Sequence, residues 1–212
     1  NYSMQQNVRV LSIEGLDEMN TSFDFNNLNI YGSILIEDHN LDFYSYHIRM
    51  KGAGANEVIA LAKDGCRYLN FVNKGQWTLA APLVVEFIDF AEGQLHTNNQ
   101  SMEILSVYFY TNRFKKLDLS DSDVLILGNT YRTEWDYSGD SLYILSSGST
   151  TEFSASYPYL NFDLWGLNHR INMGNVVFSA VDGTASINGY WNSSRLRFNR
   201  LDFAANGRTE LG

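Results

Sequence analysis

The sequence predicts an all-β chain folded as a right-handed parallel β-helix, and three observations carry that expectation. An apolar–polar–apolar triplet recurs along the chain, Gly, Asn, Asp and Ser turns separate its copies, and only two prolines interrupt 212 residues. Short strands bent repeatedly around a narrow core produce this pattern, because alternate residues face inward and turn residues supply the bends.

The triplets are Leu28-Asn29-Ile30, Ile48-Arg49-Met50, Leu69-Asn70-Phe71, Ile88-Asp89-Phe90, Leu117-Asp118-Leu119, Leu142-Tyr143-Ile144, Leu160-Asn161-Phe162, Val176-Val177-Phe178 and Leu201-Asp202-Phe203. By subtraction, the steps from Ile30 to Met50, Phe71 and Phe90 are 20, 21 and 19 residues, and later steps scatter around the same length. Three copies share more than polarity: Phe25 to Ile30, Phe114 to Leu119 and Phe198 to Phe203 all read F-x-x-L-[ND]-apolar. A second, shorter pattern follows many copies, as in Val124-Leu125-Ile126, Thr151-Glu152-Phe153, Arg170-Ile171-Asn172 and Ala185-Ser186-Ile187. Two strands per repeat are therefore expected.

No single repeat buries its own apolar positions, whereas stacking equivalent strands about 4.8 Å apart joins them into continuous columns. Nine stacked turns give a rod on the order of 40 Å long. The expected inward column is Ile30, Met50, Phe71, Phe90, Leu119, Ile144, Phe162, Phe178 and Phe203. The chain reads as one β-helical domain over 1–212, a piece of a longer protein, with 1–74 less regular and open to an N-terminal cap. Ala55 to Lys63 is the one helix-like stretch. Antiparallel β-sandwiches are the rival architecture, since they too space short strands regularly. Recurrence of the residue pattern itself, not of turn spacing alone, favours the solenoid.

Composition narrows the function classes. Hydrophobic residues make up 44% and aromatic residues 14%, so the chain folds, yet no apolar run approaches the ~18 residues of a spanning helix. A net charge of −9 disfavours nucleic acid and anionic membranes as partners, because phosphate binding draws on clustered Lys and Arg. The single cysteine, Cys66, forms no intramolecular disulfide and reads as a structural thiol. Residues 1–19 lack a basic segment followed by an apolar one, so a leader peptide is expected to be removed or to lie outside this stretch.

From Trp77 onward the residues Trp77-Thr78-Leu79, Gly93 to Asn98, Leu117 to Ile126, Gly148 to Phe153 and Tyr159 to Phe162 resemble the β-helical repeat segments of large secreted and cell-surface proteins of Bacteroidetes. That resemblance implies surface display, export through the type IX secretion system, and roles in adhesion or gliding motility. It implies other domains of the same large protein and the secretion machinery as partners. It brings no catalytic residue with it, and the N-terminal third departs from the pattern.

The expected function is thus a non-enzymatic adhesin or scaffold module that binds glycans or cell-surface polymers through exposed aromatics. Tyr131, Arg132, Glu134, Trp135, Asp136 and Tyr137 form the densest candidate, read as an excursion between strands, with flat rings for sugar faces and polar groups for hydroxyls. Asp118, Asp121 and Asp123 are spaced closely enough to hold a structural calcium ion, against the simpler reading of a solvated turn. The alternative class is a β-helical polysaccharide lyase or glycoside hydrolase, which needs paired carboxylates or a basic proton abstractor. His39, His47, His96 and His169 are scattered, without a His-x-x-x-His pair, and no phosphate-binding or nucleophile-elbow motif occurs. Arg195, Arg197 and Arg200 alternate with Leu196, Phe198 and Leu201 and read as a solvated outer face.

Overall fold

The computed structural model of the chain describes residues 5–13, 22–36, 42–61, 65–110, 113–133, 142–146, 148–154, 159–161, 170–179, 184–188, 195–203 and 208–211. Among these every regular element is a strand: β1 (Gln5–Val8), β2 (Leu11–Ile13), β3 (Ser22–Ile30), β4 (Ile34–Ile36), β5 (Asp42–Met50), β6 (Glu57–Ala60), β7 (Cys66–Leu79), β8 (Leu83–His96), β9 (Met102–Phe109) and β10 (Lys115–Ser120). They continue with β11 (Asp123–Thr133), β12 (Leu142–Ser146), β13 (Thr150–Phe153), β14 (Tyr159–Asn161), β15 (Arg170–Asn172), β16 (Asn175–Phe178), β17 (Thr184–Asn188), β18 (Arg195–Arg197), β19 (Arg200–Phe203) and β20 (Arg208–Leu211).

All pairings between them are parallel, and their registers trace a three-sided solenoid. The first face runs through β1, β3, β5, β7, β8, β9, β11, β14, β17 and β20. The second runs from β2 through β4 and β6 to the ends of β7 and β8, then β10, β12, β15 and β18. The third uses the beginnings of β3, β5, β7, β8, β9 and β11, then β13, β16 and β19. Each turn therefore carries three strand positions where two were expected. Parallel pairing at equivalent positions removes the antiparallel sandwich from consideration, and the parallel ladder runs through residues 5–79 as it does beyond.

The core is a set of columns. Leu28, Ile48, Leu69, Ile88 and Val107 line one, and Ile30, Met50, Phe71, Phe90 and Phe109 the next, all buried on the first face. The rings of Phe71 and Phe90 stack at 4.5 Å and those of Phe90 and Phe109 at 5.2 Å, close to the strand spacing that sets their repeat. On the third face Val85, Ile104, Ile126, Phe153, Phe178 and Phe203 follow one register line, with Phe153–Phe178 and Phe178–Phe203 both at 5.1 Å.

The expected single column is thereby corrected. Ile30, Met50, Phe71 and Phe90 do share a line, but Ile144 lies on the second face opposite Leu117 and Ile171, and Phe178 and Phe203 lie on the third. Leu119 is buried where the register shifts on the second face, and Phe162 falls outside the described residues. The helix-like stretch is corrected as well. Glu57–Ala60 is a strand paired on both edges, with β4 and β7, so ladder pairing overrides the helical preference of alanine.

Corners are built from tight approach and satisfied polar groups. The Trp77 ring packs over Gly75, where a Cβ would stand 2.5 Å from Cζ2 and 2.7 Å from the Gly52 carbonyl oxygen, and its indole N–H donates to Gly32 O at 3.3 Å. At the next corner Thr97 is fully buried; its hydroxyl donates to Leu119 O at 2.6 Å and accepts from Ser122 Oγ at 2.6 Å. One turn on, Ser146 and Ser149 bond through their hydroxyls.

Candidate functional site

The corner where the third face passes into the first breaks the in–out alternation. Ser45, Cys66 and Val85 occupy successive buried positions, and Ile48, Leu69 and Ile88 are buried three residues later. Between them two consecutive residues must face out on each turn: Tyr46-His47, Arg67-Tyr68 and Glu86-Phe87. Stacking brings these doublets together. The His47 and Tyr68 rings lie 4.6 Å apart at 25°, and Tyr68 and Phe87 4.6 Å apart at 16°. Tyr46 leans on His47 edge-on at 4.9 Å and on Tyr68 at 5.5 Å.

Arg67 organises the polar side of this ladder. Its Nε donates to Glu86 Oε2 at 2.7 Å and its Nη1 to the Tyr46 hydroxyl at 3.2 Å. Its guanidinium carbon also lies 5.3, 5.6 and 5.9 Å from the ring centres of Tyr46, Tyr68 and Phe87, within cation–π range. Tyr44 and Tyr46 are each 37% exposed, so the rings meet solvent on one face. A shallow concavity of about 210 Å³ adjoins them, bordered by Tyr44, Arg67, Val84, Glu86, Glu103 and Leu127.

Electrostatics follow from this packing. The Glu86 hydrogen bond raises the Arg67 pKa. Partial burial raises the hydroxyls of Tyr44 and Tyr68, and Glu86 and Tyr46 respectively reinforce it. Desolvation, then the charge of Arg49, holds His47 below its ordinary value. Beneath the ladder the Cys66 thiol is fully buried and its pKa is pushed far up by desolvation, so it is no thiolate nucleophile. What remains is a flat aromatic surface edged by the Arg67 guanidinium, the Glu86 carboxylate and phenolic hydroxyls. Such a surface suits a ring with an apolar C–H face and hydroxyls at its rim.

The expected Tyr131–Tyr137 candidate divides. Residues 131–133 end strand β11, where Tyr131 pairs with Val107 and Leu160, and Arg132 with Tyr108 and Asn161. They continue the β-rich run from Thr130 and are not part of an excursion between strands. Glu134, Trp135, Asp136 and Tyr137 lie outside the described residues. Asp118 stands on β10 with its carboxylate 3.0 Å from Lys116 Nζ and 4.0 Å from His96 Nε2. Asp121 is exposed in the turn, close to Gly148, and Asp123 is exposed at the start of β11. Arg197 and Arg200 are exposed, and Arg200 pairs with Asp202 at 2.7 Å.

The ladder Tyr46, His47, Tyr68, Phe87 with Arg67 escaped the sequence reading, because its members are about twenty residues apart. The signal was present as a tetrad of inward, outward, outward, inward residues: Ser45 to Ile48, Cys66 to Leu69, Val85 to Ile88. Fold and site together define a parallel β-solenoid carrying an outward aromatic ladder. Comparison with protein-family models, with curated proteins and with solved structures gives no match for this chain.

Proposed function

We propose that the chain is a non-enzymatic adhesive module of an exported, surface-displayed protein, and that its aromatic corner binds glycans. The stacked ladder Tyr46, Tyr68 and Phe87 around Arg67 carries this reading, because a rigid ladder presents rings already ordered for a sugar face. The resemblance of residues 77–212 to repeats of secreted surface proteins supports display, with the solenoid acting as spacer. Loops and corners on a rigid scaffold are common seats of binding.

A glycan array probed with the whole chain, followed by calorimetry on any hit, tests this. Tyr46→Ala, which removes a half-exposed ring and one partner of Arg67, is expected to weaken binding about tenfold. No glycan retained, or affinity unchanged by both Tyr46→Ala and Trp135→Ala, overturns the proposal. Loss on Trp135→Ala alone moves the site to the Tyr131–Tyr137 segment.

A further inference from the structure

The second face carries a separate surface of opposite character. One register line runs Gln94, Lys116, Tyr143, Arg170 and Arg195, its first four side chains half-buried or exposed, and beside it Asn172 pairs with Arg197. Between the two lines lies a trough of about 470 Å³ bordered by Asp118, Leu145, Ser146, Arg170, Asn172 and Arg197. Arg170 and Arg197 are exposed there, and among the described residues neither guanidinium has a carboxylate at ion-pair distance. Arg67, Arg113 and Arg200 elsewhere are each neutralised by Glu86, Glu92 and Asp202. In a chain of net charge −9, two arginines on adjacent turns with no ion-pair partner among the described residues make a local cationic strip.

We propose that this strip binds an anionic polysaccharide laid along the solenoid axis, one with a carboxylate or sulfate on its sugars. Adjacent turns are about 4.8 Å apart, and Arg197 stands one turn on from Arg170 on the neighbouring register line, so the two cations are spread along the axis and suit a polymer better than a single small anion. Asp118, held by Lys116 at 3.0 Å, closes the trough with negative charge at one end. The Asn172 amide is already committed, donating to Ser146 O at 2.7 Å and accepting from Gly174 N at 3.1 Å, so among the described lining residues the two guanidinium groups are the donors that face a ligand. A nucleic acid carries a phosphate on every unit and draws on a broad basic surface that this acidic chain lacks. A polysaccharide with sparser charge and hydroxylated rings between fits two arginines beside Leu145 and Ser146.

Binding of the whole chain to immobilised polygalacturonate, chondroitin sulfate, neutral dextran and single-stranded DNA, each at low and high salt, tests this. The expected result is retention on the first two, none on dextran, weaker retention on DNA, and affinity that falls with salt. The double variant R170Q/R197Q is expected to lose at least about tenfold on the anionic glycans, since each arginine supplies charge-assisted hydrogen bonds. Arg200→Gln removes the same charge from the third face and leaves binding unchanged. Absence of glycan binding at low salt, affinity indifferent to salt, affinity unaltered in the double variant, or DNA bound as tightly as polygalacturonate overturns the proposal. If the double variant loses its β circular dichroism, Arg197→Gln alone and the salt series on the unaltered chain decide. This result stands apart from the aromatic corner, because Tyr46→Ala tests that site on neutral glycans.

Discussion

Thr151 sits in the core column of the third face, 1% exposed, between Val124 and Val176 in the register of β11, β13 and β16. Among the described residues its Oγ1 has no hydrogen-bond partner. A buried hydroxyl left unpaired costs about 1–3 kcal/mol, so Thr151→Val, which keeps the shape and the β-branch, is expected to stabilise the chain by that amount. For a chain of this size the gain corresponds to a rise in Tm of roughly 2–12 °C. Thr151→Ser keeps the hydroxyl and drops the methyl, and is expected to cost about 1 kcal/mol. Urea unfolding followed by circular dichroism checks the order Val above Thr above Ser, with midpoints shifting at constant slope. A valine variant no more stable than the parent would show that the hydroxyl is hydrogen-bonded in solution, and the reasoning from an unpaired buried group would fail.

Gly75→Ala is expected to destabilise by about 1–3 kcal/mol, because its methyl would meet both the Trp77 ring and the Gly52 carbonyl. Gly54→Ala, whose methyl meets only the movable end of Glu57, is expected to cost much less, and thermal melts of the two variants separate the cases. His47 gives a pH dependence whose sign follows from its lowered pKa. The neutral ring is favoured in the folded chain, so its contribution is present above the unfolded value of about 6.5 and is lost as pH falls through 6.5 toward the lowered folded value. The stability of His47→Gln relative to the parent is therefore expected to rise between about pH 7.5 and pH 5, and a flat difference refutes it.

Strand type and parallel stacking were legible because Ile48-Arg49-Met50 or Leu142-Tyr143-Ile144 alternate between buried and partly exposed positions. The face on which each triplet lies was not. A three-sided solenoid offers the same half-buried environment three times per turn, so the F-x-x-L-[ND]-apolar copies fall on different faces. Phe25 to Ile30 ends on the first face, Lys115 to Leu119 belongs to the second and Arg200 to Phe203 to the third. The 29-residue step from Phe90 to Leu119, by subtraction, marks the passage from first face to second. Corners were hidden for a related reason: alternation fails there by one residue, and the resulting outward doublets look like noise until the turns are stacked.

Charge differs both around the rod and along it, and Arg200 continues the third-face register line of Asp123, Thr150 and Asn175 on a later turn. Glu86, Glu103, Asp123 and Glu152 lie on or beside the third face, and Glu103, Asp123 and Glu152 border one shallow depression there. Arg170 and Arg197 lie on the second face. A solenoid couples each turn chiefly to its neighbours, so these surfaces are held at fixed angles by the rod and change little when one of them is altered. Glu103, Asp123 and Glu152 repel a polyanion and Arg170 and Arg197 attract one, which supports the proposed binding of an anionic polysaccharide on the second face. The aromatic corner borders the acidic side, where its Arg67 is already paired with Glu86, so the glycan proposed for it is an uncharged one. The two proposals together place two chemically different glycans on separate sides of one rod.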